Sequence, residues 1–351
     1  MTQRRRLGRT DITVSAIALG TMTFGEQNTQ EEGHAQLDLA LDRGINLIDA
    51  AEIYPIPPRA ETQGRTEEII GTWLKARGNR DKVVLATKVS GRSGNTYLRP
   101  GGETPKLDRK NIHYAVDRSL QRLQTDYIDV YQLHSPDRAV PLFGAGGNTF
   151  VPGRNAEEIA IEETLEALAE LERAGKVRHI GVSNETAWGT GRFVQAANAK
   201  DGLPRIVSIQ NAYNLLNRTF EIGLAEIADR EDVGLLAYSP LAQGFLSGKY
   251  QGGARPAGAR LTRYDRGQRY QKPNVEEAVD AYLQLAAEHG LDPSQLANAF
   301  VISRPFVTSA IIGASGLEQL ETDLGALEVT ITPELEEAII AIHQVYSNPA
   351  P

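Results

Sequence analysis

The sequence predicts an α/β protein in which eight parallel strands close into a (β/α)8 TIM barrel, preceded by a short β-hairpin. Three observations carry this. Eight short apolar runs each precede an amphipathic stretch of helical period, the rhythm of a sheet wound with helices. Most runs are continuously apolar rather than alternating, as strands covered on both faces require. Eight such units close a barrel, whereas the open doubly wound alternative lacks its Gly-x-Gly-x-x-Gly turn after the first run.

The elements follow in order. Residues 4–7 and 12–15 pair as a hairpin around Gly8-Arg9-Thr10-Asp11. The strand runs are 16–19, 46–48, 83–87, 128–133, 177–182, 206–209, 233–237 and 308–312. Between and after them, helices are expected over 29–43, 65–75, 109–123, 160–174, 186–199, 220–229, 275–289 and 317–324. Asp108 stands as an N-cap, and Gly44 and Gly175 as helix stops. An extra helix is expected over 293–301, and an outer one over 333–345. Two stretches break the rhythm, 135–158 after the fourth strand and 239–273 after the seventh. Loops of that length are uncommon unless functional, and both leave strand C-termini, the face where such barrels build their sites. Nothing reads as a linker or repeat, so residues 1–351 form one expected domain.

Composition narrows the function. A formal net charge of −8 argues against a nucleic-acid surface. No apolar run reaches the roughly 20 residues that span a bilayer, and no apolar segment follows the basic start to make it a signal peptide. The absence of cysteine removes disulfides, thiol catalysis and thiolate-bound zinc, and fits a cytoplasmic protein. Six scattered histidines have no ligand spacing, so no metal site is expected.

Four polar residues fall at neighbouring strand ends. Asp49 ends the second strand, Tyr54 follows five residues on, Lys88 ends the third and His134 the fourth. Singly they read as a helix cap, a packing tyrosine, a surface lysine and a near-core histidine; together they suit carbonyl reduction. Hydride arriving at a carbonyl carbon leaves charge on oxygen that must be stabilised and protonated. A phenol holds its proton to about 10. An ammonium about 4 Å away contributes roughly 4 kcal/mol toward the phenolate at an effective dielectric of about 20. That pull is expected to bring Tyr54 near its working range before desolvation takes some back, with Asp49 orienting Lys88 and keeping it charged, and His134 fixing the carbonyl.

These residues lie in an ordered set: Gly20-Thr21-Met22-Thr23-Phe24-Gly25, Asp49-Ala50-Ala51-Glu52-Ile53-Tyr54, Thr87-Lys88, Leu133-His134, Ile180-Gly181-Val182-Ser183-Asn184, Gln210, Tyr238-Ser239-Pro240-Leu241 and Gly313-Ala314-Ser315. The set resembles the aldo-keto reductase superfamily. Ala51-Glu52-Ile53-Tyr54-Pro55 and His343-Gln344-Val345-Tyr346 are similar to its bacterial Tas-like branch. The resemblance implies NADPH-dependent reduction of a small aldehyde or ketone, with Asp49, Tyr54, Lys88 and His134 as the catalytic group. It implies Ser183, Asn184 and Gln210 around the carboxamide and Tyr238 beneath the nicotinamide. Ser239 and Leu241 would meet the pyrophosphate, Lys249 and Arg260 the phosphates, and Ser315, Gln319 and Asp323 the adenosine end. Gly20, Thr21, Met22, Pro240, Gly244 and Gly313, with Asp49, would complete the cradle. The preference for NADP over NAD rests on the branch and on Arg260 and Lys249. Two positions depart from the pattern: Ala314 stands where relatives often carry a basic residue, and Asp323 where they often carry Asn. Pocket walls are expected from the loops around Phe24, 55–58, 92–97 and 143–150.

Two rival readings use the same residues. One is a regulatory NADP-binding barrel subunit like those that accompany potassium channels, against which the presence of both Tyr54 and His134 argues. The other is a Schiff-base aldolase using Lys88, against which the neighbouring Asp49 argues, because it favours the charged, non-nucleophilic amine.

Overall fold

The computed structural model describes residues 3–142, 149–150 and 157–351. The chain opens with β1 (Arg4–Arg6) paired antiparallel to β2 (Thr13–Ser15). It continues through β3 (Ile17–Gly20), α1 (Gln30–Asp42), β4 (Leu47–Asp49), α2 (Arg65–Arg77), β5 (Val84–Val89), α3 (Arg109–Leu123) and β6 (Ile128–Leu133). Then come α4 (Ile161–Arg173), β7 (Val177–Ser183), α5 (Ala187–Ala199), β8 (Ile206–Ala212), α6 (Leu224–Glu231) and β9 (Gly234–Tyr238). Three helices, α7 (Arg260–Tyr264), α8 (Val275–Glu288) and α9 (Pro293–Ser303), precede β10 (Val307–Ile312), and α10 (Leu317–Leu324) and α11 (Pro333–Val345) follow it. Strands β3 to β10 pair in parallel in chain order and β10 returns to β3, closing the barrel.

Local chemistry accounts for the helix starts. Thr29 and Glu32 form a reciprocal capping box on α1, satisfying two otherwise orphaned amides. Asp108 accepts from Asn111 N at the start of α3, as its sequence position suggested. Asp292 and Thr332 cap α9 and α11, each followed by proline at the first helical residue, where no N–H is needed.

The strand positions agree with the apolar runs to within three residues, the largest difference being the extension of β8 from 209 to Ala212. Two expectations change. The helix expected over 220–229 is broken: a 3₁₀ turn, Thr219–Glu221, is separated from α6 by Gly223, whose φ of +87° lies in the left-handed region. The stretch 239–273 is more ordered than a loop, carrying α7 and the 3₁₀ turns Ala242–Ser247 and Gln268–Tyr270. Within the other long stretch, 143–148 and 151–156 lie outside the described residues.

The two-residue strand period divides the interior. Side chains facing outward pack against the helices in one large core. Inward-facing Ala18, Leu47, Val84, Ala86, Val130 and Leu236 fill the lumen, joined from below by Leu7 and Val14 of the hairpin. No helix among the described residues is long and apolar enough to cross a membrane.

Candidate active site

The same period that fills the lumen sets what lies above it. Asp49 is two residues beyond Leu47, Lys88 two beyond Ala86, and Gln132 two beyond Val130, so a polar layer caps the apolar one. Lys88 is fully buried. Its Nζ donates to Asp49 Oδ2 at 2.6 Å, to the Ala50 carbonyl at 2.7 Å and to Tyr54 Oη at 3.4 Å. Asp49 Oδ1 accepts from Gln210 Nε2 at 2.8 Å and Gln132 Nε2 at 3.1 Å. An ammonium only donates, so Tyr54 Oη is the acceptor in its bond with Lys88 and keeps its own proton for the cavity above.

Tyr54 is held by its loop. Its carbonyl accepts from Gly64 N at 2.9 Å, and Ile56 N reaches the Met22 carbonyl at 2.9 Å. The Tyr54–Pro55 and Ile56–Pro57 peptides are cis. Glu52 ties this loop to the Lys88 strand: its N–H donates to the Lys88 carbonyl at 3.1 Å, and its Oε1 accepts from Ser90 N at 2.7 Å. The buried Arg99 guanidinium meets both oxygens of Glu52 at 2.9 Å.

Electrostatics correct one expectation. Burial pushes the Tyr54 phenol above its ordinary value; Lys88 pulls the other way without overcoming it, and Asp49 adds to the rise. Removal from water outweighs one nearby ammonium that already has a carboxylate on its far side. The phenol is therefore held protonated. Burial pulls the Lys88 ammonium down, but Asp49 and Tyr54 more than offset it, and its affinity for the proton is raised. Burial and Lys88 together push His134 down to about 3, so the imidazole is neutral. Its ring stands edge-on to Tyr54, centroids 5.7 Å apart.

Above these groups opens a cavity of about 1160 Å³. Tyr54, His134 and every residue expected to cradle a cofactor lie on its wall, from Gly20, Thr21 and Met22 through Pro240, Leu241 and Gly313 to Asp323; Lys88 does not. At one end, Ser183 Oγ donates to the Gln210 carbonyl at 2.8 Å, and Asn184 Nδ2 to the His134 carbonyl at 2.8 Å. Tyr238 Oη donates to Asn184 Oδ1 at 2.7 Å. At the other end, Ser315 donates through N and Oγ to Gln319 Oε1. Asp323 accepts from Asn298 at 3.1 Å, and burial pushes its carboxyl up to about 7. Lys249 feels both Asp323 and Arg260, and Arg260 Nη2 approaches Met22 Sδ at 3.5 Å. Gly244 has φ +94°, and a Cβ there would fall 2.5 Å from Lys249 Cε.

The expected pocket walls hold in part. Ile56, Pro58 and Asn95 line the cavity. The loop around Phe24 supplies Met22, Gln27 and Asn28, with Phe24 itself fully buried; Phe150 is exposed off the wall, and 143–148 lie outside the described residues. Sequence reasoning missed Gln132, Glu52 and Arg99. Gln132 was within reach, since it precedes His134 by two residues on a strand whose neighbours face the lumen. Arg99 lies in a loop 47 residues from Glu52, with no periodicity to join them.

Residues 16–343 match the family model described as the aldo/keto reductase family. The chain belongs to the aldo/keto reductase family. It is 51% identical over 351 residues to "Protein tas" of Escherichia coli (strain K12), covering 99% of this chain and all of that protein. Over 330 residues it is 34% identical to the oxidoreductase YrpG of Bacillus subtilis (strain 168), covering 94% of this chain and 92% of that one. A probable voltage-gated potassium channel subunit beta of Oryza sativa subsp. japonica is 32% identical over 353 residues, with 97% of each covered. As an aldo/keto reductase the chain is an oxidoreductase acting on carbonyl groups, and the family generally uses nicotinamide cofactors.

Proposed function

We propose that this aldo/keto reductase reduces aldehydes or ketones with NADPH, Tyr54 serving as proton donor. One observation carries the reading: the buried Asp49–Lys88–Tyr54 chain, whose last oxygen reaches the cavity beside His134. Tyr54 holds the proton at Oη and releases it to the carbonyl oxygen of the substrate. Lys88, 3.4 Å away, stabilises the phenolate left behind by about 5 kcal/mol at an effective dielectric of about 20. Asp49, gripped by Gln132 and Gln210, keeps the ammonium in place. His134 is neutral and donates a ring N–H to the same carbonyl oxygen without competing for the proton.

The wall fits an extended dinucleotide. Ser183, Asn184 and Gln210 present amide and hydroxyl groups suited to a carboxamide, and Tyr238 gives a ring face beside them. Gly244 lets backbone approach Lys249 closely where a side chain would displace it. Among the described residues, Lys249 and Arg260 have no carboxylate within ion-pair distance, as expected of cations reserved for phosphate. When bound, the dinucleotide supplies the hydride. Lys88 as a Schiff-base nucleophile is disfavoured, because it is off the cavity wall and held as the ammonium.

The test is NADPH consumption by the purified chain over a panel of aldehydes and ketones, with NADH alongside at low and high salt. Sustained turnover with NADPH preferred, and a preference that weakens as salt rises, is expected. Tight NADPH binding with no turnover on any carbonyl would favour the regulatory subunit reading instead.

A further inference from the structure

The cavity holds a cation that the reaction described above leaves without a task. Arg269, on the 3₁₀ turn Gln268–Tyr270, is half-buried on the cavity wall. Among the described residues no carboxylate lies within ion-pair distance of it. Its Nη1 reaches only the Tyr238 hydroxyl, at 3.4 Å, and its Nε is shut away from solvent with no partner. The rings of Tyr238 and Tyr270 lie 5.9 and 5.8 Å from its guanidinium carbon; they steady a cation without neutralising it. Nε is closed to the cavity, but Nη2 is not shut away and has no acceptor among the described residues, so an acceptor arriving with a ligand can take it.

Its location says which ligand. Lys249 lies within the field of Asp323, at the end opposite His134; Arg260 lies between the two ends, feeling Lys249 on one side and Tyr54 and Tyr270 on the other. Arg269 instead joins the reacting end by three links: to Tyr238 Oη, from there to Asn184, and from Asn184 to the His134 carbonyl. An anion at Arg269 would lie against Tyr238 and Asn184, on the His134 side of the cavity. Planar guanidinium donors match a carboxylate.

Building on the reductase reading, we propose that Arg269 is a specificity-determining residue that selects carbonyl substrates bearing a carboxylate. The same charge would also attract a cofactor phosphate, so the experiment separates the two sources.

The binding arm does not depend on turnover. 4-(Hydroxymethyl)benzoate and benzyl alcohol are titrated calorimetrically into the full chain, with and without NADP⁺. In wild type the carboxylate should bind at least about tenfold more tightly than the neutral alcohol, as a charge-assisted hydrogen bond allows. Arg269→Met should remove that advantage, and Arg269→Lys should restore part of it. In the kinetic arm, Arg269→Met should raise KM for 4-carboxybenzaldehyde at least about tenfold, with kcat and the KM for benzaldehyde within about threefold. The Kd for NADPH, read by fluorescence quenching, should stay within about twofold. Equal losses on charged and neutral ligands, or a weakened NADPH Kd with the carboxylate advantage intact, would overturn the proposal. Absence of turnover on any aldehyde with the carboxylate advantage present would sink the reductase reading and leave the anion subsite standing.

Discussion

Replacing Lys88 with methionine tests the proton chain through a sign that simple charge removal would not give. Lys88 Nζ lies 3.4 Å from Tyr54 Oη and 2.6 Å from Asp49 Oδ2, so the carboxylate is no more than about 6 Å from the phenol. At an effective dielectric of about 20 the ammonium favours the phenolate by about 5 kcal/mol, and the carboxylate opposes it by about 3 kcal/mol. The intact pair thus leaves a net pull of about 2 kcal/mol. Lys88→Met removes the attraction and exposes the repulsion. With proton transfer only partly complete at the transition state, kcat for aldehyde reduction should fall by about two to three decades. Adding Asp49→Asn removes the repulsion as well, so the double variant should recover about tenfold over the single one. The single variant also leaves a buried carboxylate without its partner, which costs about 3–5 kcal/mol of stability. Thermal melts should therefore show a lower Tm for it, largely restored in the double variant, and activity is to be read on folded protein. The reverse reaction adds a pH readout, because alcohol oxidation needs Tyr54 as phenolate. Its proton affinity is already above ordinary, so the wild-type rate should climb with pH, and without Lys88 the climb should begin at higher pH. A double variant no better than the single one, together with an unmoved pH limb, would refute the electrostatic role.

Tyr54→Phe should hold NADPH affinity within a few-fold while lowering kcat for reduction by orders of magnitude, because the phenol acts in the transition state; stopped-flow turnover at saturating aldehyde checks it. His134, pushed down to about 3, should contribute no protonation step to kcat/KM between about pH 5 and 8; an inflection near the ordinary histidine value of about 6.5 that vanishes in His134→Gln would contradict this. Gly244→Ala places a Cβ 2.5 Å from Lys249 Cε at a φ of +94°, a conformation that costs an alanine about 1–2 kcal/mol. It should lower Tm and weaken NADPH binding by about tenfold with kcat at saturation little changed.

Much of the barrel was legible because its strands are buried on both faces and its helices on one, which writes two distinct periods into the chain. Asp49, Lys88 and His134 were legible for a related reason: a polar residue closing an apolar run marks a strand end. What the periods do not encode is pairing across distant loops. Glu52 meets Arg99, and Arg269 meets Tyr238, through segments whose paths depend on the finished barrel. The proton affinity of Tyr54 was misjudged because sequence supplies the neighbouring charges but not the extent of burial. The break at Gly223 was visible as a residue, yet glycine within a helical pattern does not by itself announce a stop.

The hairpin at the base of the barrel leaves the polar layer facing the cavity above. Leu7 and Val14, both fully buried, underlie a lumen filled largely by apolar side chains below Asp49 and Lys88. On the proposal that Tyr54 is the proton donor, its protons would enter by the cavity, whose wall Tyr54 lines and Lys88 does not. On the same proposal, a ligand filling the cavity would close that route, so the phenol would be loaded before the substrate seats and reloaded after the alcohol departs. Each cycle would then carry one stored proton, its exchange with bulk water timed by ligand traffic.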